Sequence, residues 1–337
     1  MGNRKLRIAH RKPRASVRAA LALAWVCGPA VVAAVVLAGC SPVPEAPPFS
    51  LTEEDWSYGR HAGKRLVTDH FEIYTTLTDA DLRDVLPLFL ESAYRQFTSL
   101  VPPPAEPDPK LQTYVFGNRA QWDRYVRQNF PARYPVYARI SAGGFAEQNK
   151  CVVYYIRRIY TLSVVAHEGF HQYLGALFPV PVPAWVNEGL ACYCETFQFK
   201  KGVPVFTPTD NAFRLNSLRQ SLAGDTLIPL KEMLGTDAGK VIIRSQSAMT
   251  RAYYAQAWAL VCMLRHGLNG KYRAGFDALC ADIGTRESHV RARAAQIAAP
   301  DPSETSFGEA VFRAYITNDL ETFEREYRQY LRTVAAF

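Results

Sequence analysis

No aspartate or glutamate occurs in the first 44 residues of this 337-residue chain, and beyond residue 39 the net charge almost vanishes. Arg4, Lys5, Arg7, Arg11, Lys12, Arg14 and Arg18 supply seven of the 39 basic side chains. With those set aside, 32 basic residues face 31 acidic ones, a net of +1 against +8 for the whole chain. A near-neutral body gives no reason to expect a phosphate-binding surface, so no nucleic-acid partner is expected. Cysteine is sparse as well: beyond Cys27 and Cys40 there are only Cys151, Cys192, Cys194, Cys262 and Cys280. Cys192-x-Cys194 has no second pair, and on a helix its members point apart, which argues against a four-cysteine metal site. An odd count leaves at least one thiol free or paired with another chain; sequence alone assigns no disulfide, and the five read as core or structural residues with Cys262–Cys280 as a candidate bridge. His61, His70, His266 and His289 show no ligand spacing with one another. Internal repeats and long low-complexity segments are also missing. What remains, 48% hydrophobic and 21% charged, is an ordinary globular mixture sufficient for one large domain or two small ones.

The acid-free head leads into an apolar run from Ala19 to Gly39, closed by Leu37-Ala38-Gly39-Cys40. A positive start, an apolar middle and small residues before a cut make a secretory signal. The run is also about as long as a bilayer-spanning helix needs, so a single uncleaved anchor is the alternative. Gly28-Pro29 interrupts it, and Leu-Ala-Gly-Cys resembles the lipobox of bacterial lipoproteins. That resemblance implies a signal peptide over 1–39, acylation at Cys40, and an exported body anchored to the membrane of the cell envelope. Ser41 in place of aspartate resembles lipoproteins sent onward to the outer membrane. Residues 40–55 then read as a proline-rich tether, with folded structure beginning between Asp55 and Asp69 and a domain over 56–337.

The chemistry gathers at His167-Glu168-Gly169-Phe170-His171. Two histidines four apart on a helix lie one turn above each other on one face, so both imidazoles can reach one ion. Glu168 sits beside that ion as a base for its water. Val164, Val165, Ala166, Phe170 and Leu174 make the segment apolar, where two histidines and a glutamate are costly to bury unless a metal engages them. Pro179, Pro181 and Pro183 forbid helix continuation and let the chain double back. A second helix, Trp185-Val186-Asn187-Glu188-Gly189-Leu190-Ala191, can then aim Glu188 at the pair. Two helices, three ligands and one open position are the layout of a catalytic site for one Zn²⁺ ion; manganese and cobalt stay open.

Around this centre the chain alternates. His70 to Thr76 has strand character, and Thr78 or Asp79 caps an amphipathic helix reaching Phe97, with Pro87 inside it. Leu111 to Phe116 reads as a strand and Ala120 to Gln128 as a helix. Val136 to Phe145 and Cys151 to Ile156 read as a hairpin turned near Gln148-Asn149. Beyond residue 205 the spacing predicts helices over roughly Asp210–Leu222, Leu230–Leu234, Arg251–His266, Lys271–Asp282 and Leu320–Val334.

His167-Glu168-x-x-His171 with Asn187-Glu188-x-x-Ala191 resembles the gluzincin metallopeptidases. More closely, the chain is similar to the peptidase-MA-like proteins of bacteria, through a later Tyr254-Ala255-Gln256-Ala257-Trp258; the likeness spans roughly Asp69 to Leu331. It implies an α+β, zincin-like fold, with a mixed sheet lying on the metal-binding helix and a mostly helical C-terminal lobe. The lobes would run over about 69–178 and about 183–337, with the cleft between them. It implies hydrolysis of a peptide or protein substrate and an edge strand that offers backbone to it. Ala142-Gly143-Gly144-Phe145-Ala146 is the candidate edge, and a glycine bulge without a substrate role is the alternative. Tyr254 is the candidate donor to the developing oxyanion; the adjacent Tyr253 would face elsewhere, and both can instead be packing residues. Asn187 and Glu195 are candidates to orient the ligands, although Glu195 reads equally as a solvated residue near a helix end. Exo- or endopeptidase action stays open. The competing reading is a non-catalytic envelope lipoprotein of this fold that binds or scaffolds, for which Glu168 has no evident use.

Overall fold

The computed structural model describes residues 45–140, 143–236 and 247–336; the signal segment 1–39, Cys40 and Ala142 lie outside the described residues. The first element is an antiparallel hairpin of β1 (Thr52–Tyr58) and β2 (His61–Val67). Strand β1 therefore takes up the last four residues of the stretch expected to be tether. Its run Glu53-Glu54-Asp55 looks like solvated chain, but it is an edge strand whose charges face Lys64 and Arg65 of β2. Lys64 Nζ lies 2.7 Å from Glu53 and 3.0 Å from Asp55, and Arg65 lies 2.7 Å from Glu54. Charged edges of this kind block pairing with other chains, and the same charges disguise the strand.

Four more strands complete a six-stranded mixed sheet: β3 (Phe71–Thr75), β4 (Leu111–Phe116), β5 (Gly144–Glu147) and β6 (Lys150–Tyr154). The order is β1-β2-β3-β4-β6-β5, with β3, β4 and β6 parallel and β5 an antiparallel edge. Period-two alternation sorts the side chains. Phe71, Ile73, Leu111, Val115, Cys151 and Val153 enter the main core, whereas Phe116, Val152 and Tyr154 join a smaller core on the opposite face. Helix α1 (Ala80–Leu100), capped by Asp79, packs on the first face, and α2 (Arg119–Asn129) packs on the second.

The expected strand from Val136 is not one. The segment holds a helical turn, α3 (Tyr134–Tyr137), and among its described residues the strand begins at Gly144. Arg119 binds the carbonyls of Ala138 and Ile140 and draws that backbone out of the sheet. Tyr137 stacks on Phe145 at 3.8 Å, so its aromatic character serves packing between elements. The hairpin does turn at Gln148-Asn149, with Gln148 at φ 52°. Gly144 has a packing reason of its own, since a Cβ there would lie 2.4 Å from Val153 Cγ1.

Helix α4 (Arg158–Leu177) carries the histidines and lies against the sheet and α1. Phe170, Tyr173, Val165 and Ala166 are buried in the main core, and the Phe170 and Phe97 rings meet at 5.5 Å. Buried Gln172 fastens the helix to the sheet, donating to the carbonyls of Gln112 and Asn149 at 2.8 Å each. After the three prolines comes α5 (Ala184–Tyr193), with Pro183 preceding its first turn. A small hairpin follows, β7 (Phe197–Lys200) and β8 (Val203–Phe206). Then come α6 (Ala212–Ala223), α7 (Leu230–Gly235), α8 (Ser247–His266), α9 (Arg273–Asp282), α10 (Arg286–Ile297), α11 (Phe307–Tyr315) and α12 (Leu320–Ala336). The fold is α+β, a mixed sheet on the histidine helix followed by a helical lobe. The hairpin, α10 and α11 were not expected. Helix α10 buries only Ser288 and Ala292, too little apolar spacing to announce itself. Among the described residues no helix is long and apolar enough to cross a membrane.

The candidate Cys262–Cys280 bridge is not formed. Cys151, Cys192, Cys194, Cys262 and Cys280 are all free and buried, behaving as small apolar side chains. Burial pushes the Cys280 thiol up to about 12.

Helix α5 is clamped between α4 and α8. At Gly189 a Cβ would lie 2.6 Å from Val261 Cγ2 and 2.7 Å from the Ala257 carbonyl oxygen, so the two backbones approach as closely as glycine allows. Gly189→Ala is expected to lower the unfolding free energy by about 1–3 kcal/mol, measured as a shifted denaturant midpoint at unchanged slope. An unshifted midpoint would mean that α5 and α8 do not pack this tightly.

Candidate metal centre

Helical periodicity puts the His167 and His171 rings side by side, with centroids 4.8 Å apart. Reversal of the chain at the prolines brings α5 across them, and Glu188 meets both. The two Nε2 atoms are 3.2 Å apart, and Glu188 Oε2 lies 3.5 Å from His167 Nε2 and 3.2 Å from His171 Nε2. Donors held at 2.0–2.1 Å around a tetrahedral zinc lie about 3.3 Å from one another, so this triangle is of the right size. Glu188 Oε2 is buried and makes no hydrogen bond. An orphaned carboxylate oxygen between two imidazoles is costly, and a cation removes the cost. The side chains of His167, His171 and Glu188 keep only 11%, 16% and 10% exposure, enough for access from one side. The residues therefore fit a single zinc ion.

The outward nitrogens are fixed too. His167 Nδ1 lies 2.8 Å from Glu195 Oε1, and His171 Nδ1 lies 2.8 Å from Asn187 Oδ1. Both partners offer acceptor oxygens, so each ring can donate an Nδ1 proton outward and turns Nε2 toward the shared point, where its lone pair becomes free once Nε2 is deprotonated. Glu195 is thus a largely covered partner of His167, with 12% side-chain exposure, and not a solvated glutamate. Sequence reading missed what holds it: Arg214 and Asn211, at the start of α6, bind its far side. Neither bears any fixed spacing to the motifs. His167, Cys192 and Glu195 also fall within 4.8 Å of one another, but Glu195 is already paired with Arg214 there.

Charges follow the geometry. Burial opposes ionisation of Glu188, yet His171 and His167 beside it outweigh this and hold its carboxyl well below the usual range. Glu195 is likewise held low by Arg214 and His167 against the cost of burial. Burial raises the Glu168 carboxyl, with the two histidines opposing and Glu188 and Glu195 adding to the rise. Glu168 remains partly exposed beside the donor triangle without belonging to it.

Tyr254 and Tyr253 divide as helical geometry requires. Tyr253 is fully buried in the core, whereas the half-buried Tyr254 ring meets the His167 ring edge-on, with centroids 6.1 Å apart. Burial, and then Glu188, Cys192 and Glu168, push the Tyr254 hydroxyl well above its ordinary value, so it stays a proton donor. The rest of that sequence motif is structural. Gln256 holds both backbone groups of Ile228 at 2.8 Å, and Trp258 donates to the Pro208 carbonyl at 2.9 Å. Edge strand β5 runs beside α4, with Gly143 at φ 127°, open to glycine alone, next to Val164.

Fold and site together define an α+β protein with a candidate metal centre of two histidines and one glutamate on adjacent helices. No family model and no curated protein matches the chain.

Proposed function

We propose that this chain is a zinc metallopeptidase that hydrolyses peptide bonds outside the cytoplasm, tethered to the membrane through Cys40. The observation that carries the reading is the donor triangle, sized for one tetrahedral ion and closed by an otherwise unpartnered buried oxygen. His167, His171 and Glu188 would hold the ion, which supplies a Lewis acid and lowers the pKa of a water toward about 7. Glu168 lies beside the triangle with its carboxyl raised by burial, suited to accept a proton from the attacking water and pass it to the leaving amine. The Tyr254 hydroxyl is suited to donate to the oxyanion that develops on the scissile carbonyl. Edge strand β5 has one unpaired side within the sheet, where an extended substrate can add backbone hydrogen bonds.

The test is cleavage of a broad peptide library by the purified full-length chain. Hydrolysis that stops on chelation and returns with stoichiometric zinc supports the peptidase. Tight binding of one zinc with no peptide cleaved would favour a binding or scaffolding protein.

A further inference from the structure

Arg214 is a charged group near the centre that no motif announces, and its side chain is held on several sides. Its side chain retains 11% exposure although it carries a full charge. Its guanidinium grips Glu195 with two prongs, Nε to Oε2 at 2.9 Å and Nη2 to Oε1. Asn211 Nδ2 adds a third bond to Oε2 at 2.9 Å, and Asn211 Oδ1 caps α6 through the Arg214 backbone N–H at 3.1 Å. The Tyr254 and Phe213 rings lie 5.1 and 5.2 Å from the guanidinium carbon and limit its rotation. Glu195 Oε1 in turn accepts from His167 Nδ1. Every rotation open to Glu195 breaks at least one of these bonds. Burying a guanidinium is expensive, and a fork locked on both carboxylate oxygens sets an orientation that a lysine point charge cannot reproduce.

We infer that Arg214 is a positioning residue of the metal centre: by locking Glu195, it holds the His167 imidazole with its Nδ1 proton outward and Nε2 on the shared point. This rests on the site proposed above. Its consequence is that Arg214 and Glu195 act as a unit on metal affinity, although Arg214 touches neither the histidines nor the ion's position.

The test compares the full-length wild type with Arg214→Lys, Arg214→Met, Glu195→Gln and the Arg214→Met/Glu195→Gln double variant. Two quantities are read: the zinc dissociation constant, by competition with a chromophoric chelator, and the downfield Nδ1–H proton of His167 by NMR, with and without zinc. Arg214→Met and Glu195→Gln should each weaken zinc binding roughly 10–100-fold. The double variant should match the weaker single variant within about twofold. Arg214→Lys should fall between wild type and Arg214→Met, and the His167 proton should broaden or move upfield in every variant. A folded Arg214→Met with wild-type zinc affinity and an unchanged His167 proton overturns the inference, as do losses that multiply in the double variant. If Arg214→Met does not fold, wild-type affinity and an unchanged proton in Arg214→Lys overturn it equally. A wild type that binds no zinc sinks the metal-centre reading instead, and the His167 proton of the metal-free variants still decides whether Arg214 positions that ring.

Discussion

Replacing Glu168 with glutamine is expected to lower kcat/KM for peptide hydrolysis by roughly 10²–10⁴-fold while leaving zinc content at the wild-type level. The two halves of this expectation come from different features. Glu168 is not a corner of the donor triangle, so exchanging a carboxylate oxygen for an amide leaves His167, His171 and Glu188 as they are. Its carboxyl is raised by burial, however, and proton transfer needs a basic oxygen that an amide lacks. Glutamine preserves volume and hydrogen-bonding shape, so a change in stability is not expected to account for the loss. Steady-state kinetics on a cleaved peptide, paired with metal analysis of the same sample, separate the outcomes. Wild-type activity in the variant would place the base elsewhere, and lost zinc would make Glu168 a ligand.

Zinc at about 1,000 times its dissociation constant should raise the unfolding free energy of metal-stripped protein by about 4 kcal/mol. Glu188→Ala should abolish most of that increment. An ion bridging α4 and α5 binds only when both helices are in place, so its binding energy becomes folding energy. Two histidines without Glu188 leave one corner of the triangle empty and the ion poorly held. The stabilisation should also fade as pH falls, because both imidazoles must be neutral to ligate and protons compete for Nε2. Urea unfolding with zinc or with chelator, for wild type and Glu188→Ala at several pH values, reads all of this. A zinc increment in Glu188→Ala as large as in wild type would remove Glu188 from the ligand set.

Much of the local architecture was legible before any coordinates. Strands β3, β4 and β6, helix α1 with its Asp79 cap, and the long helices of the second half all announce themselves through apolar periodicity. What escaped did so for physical reasons. Strand β1 hides behind three consecutive acids whose partners lie on β2. Tyr137 looks like a strand residue but stacks on Phe145, and Arg119 holds the carbonyls that follow it. Helix α10 is polar nearly all round, and two glycines that suggested a ligand surface include one, Gly144, whose missing side chain makes room for Val153.

Sequence by itself determined that His167 and His171 share a helix face, that the prolines end that helix, and that Glu188 follows on a second helix able to return to it. Each follows from the 3.6-residue repeat or from proline's missing N–H, which act over a few residues. Only the tertiary structure decided that Glu195 lies against His167, that Arg214 and Asn211 lock it, and that Tyr254 rather than Tyr253 meets the histidine ring. Those contacts join segments tens of residues apart, and what brings them together is how α4, α5, α6 and α8 pack, which no local spacing encodes.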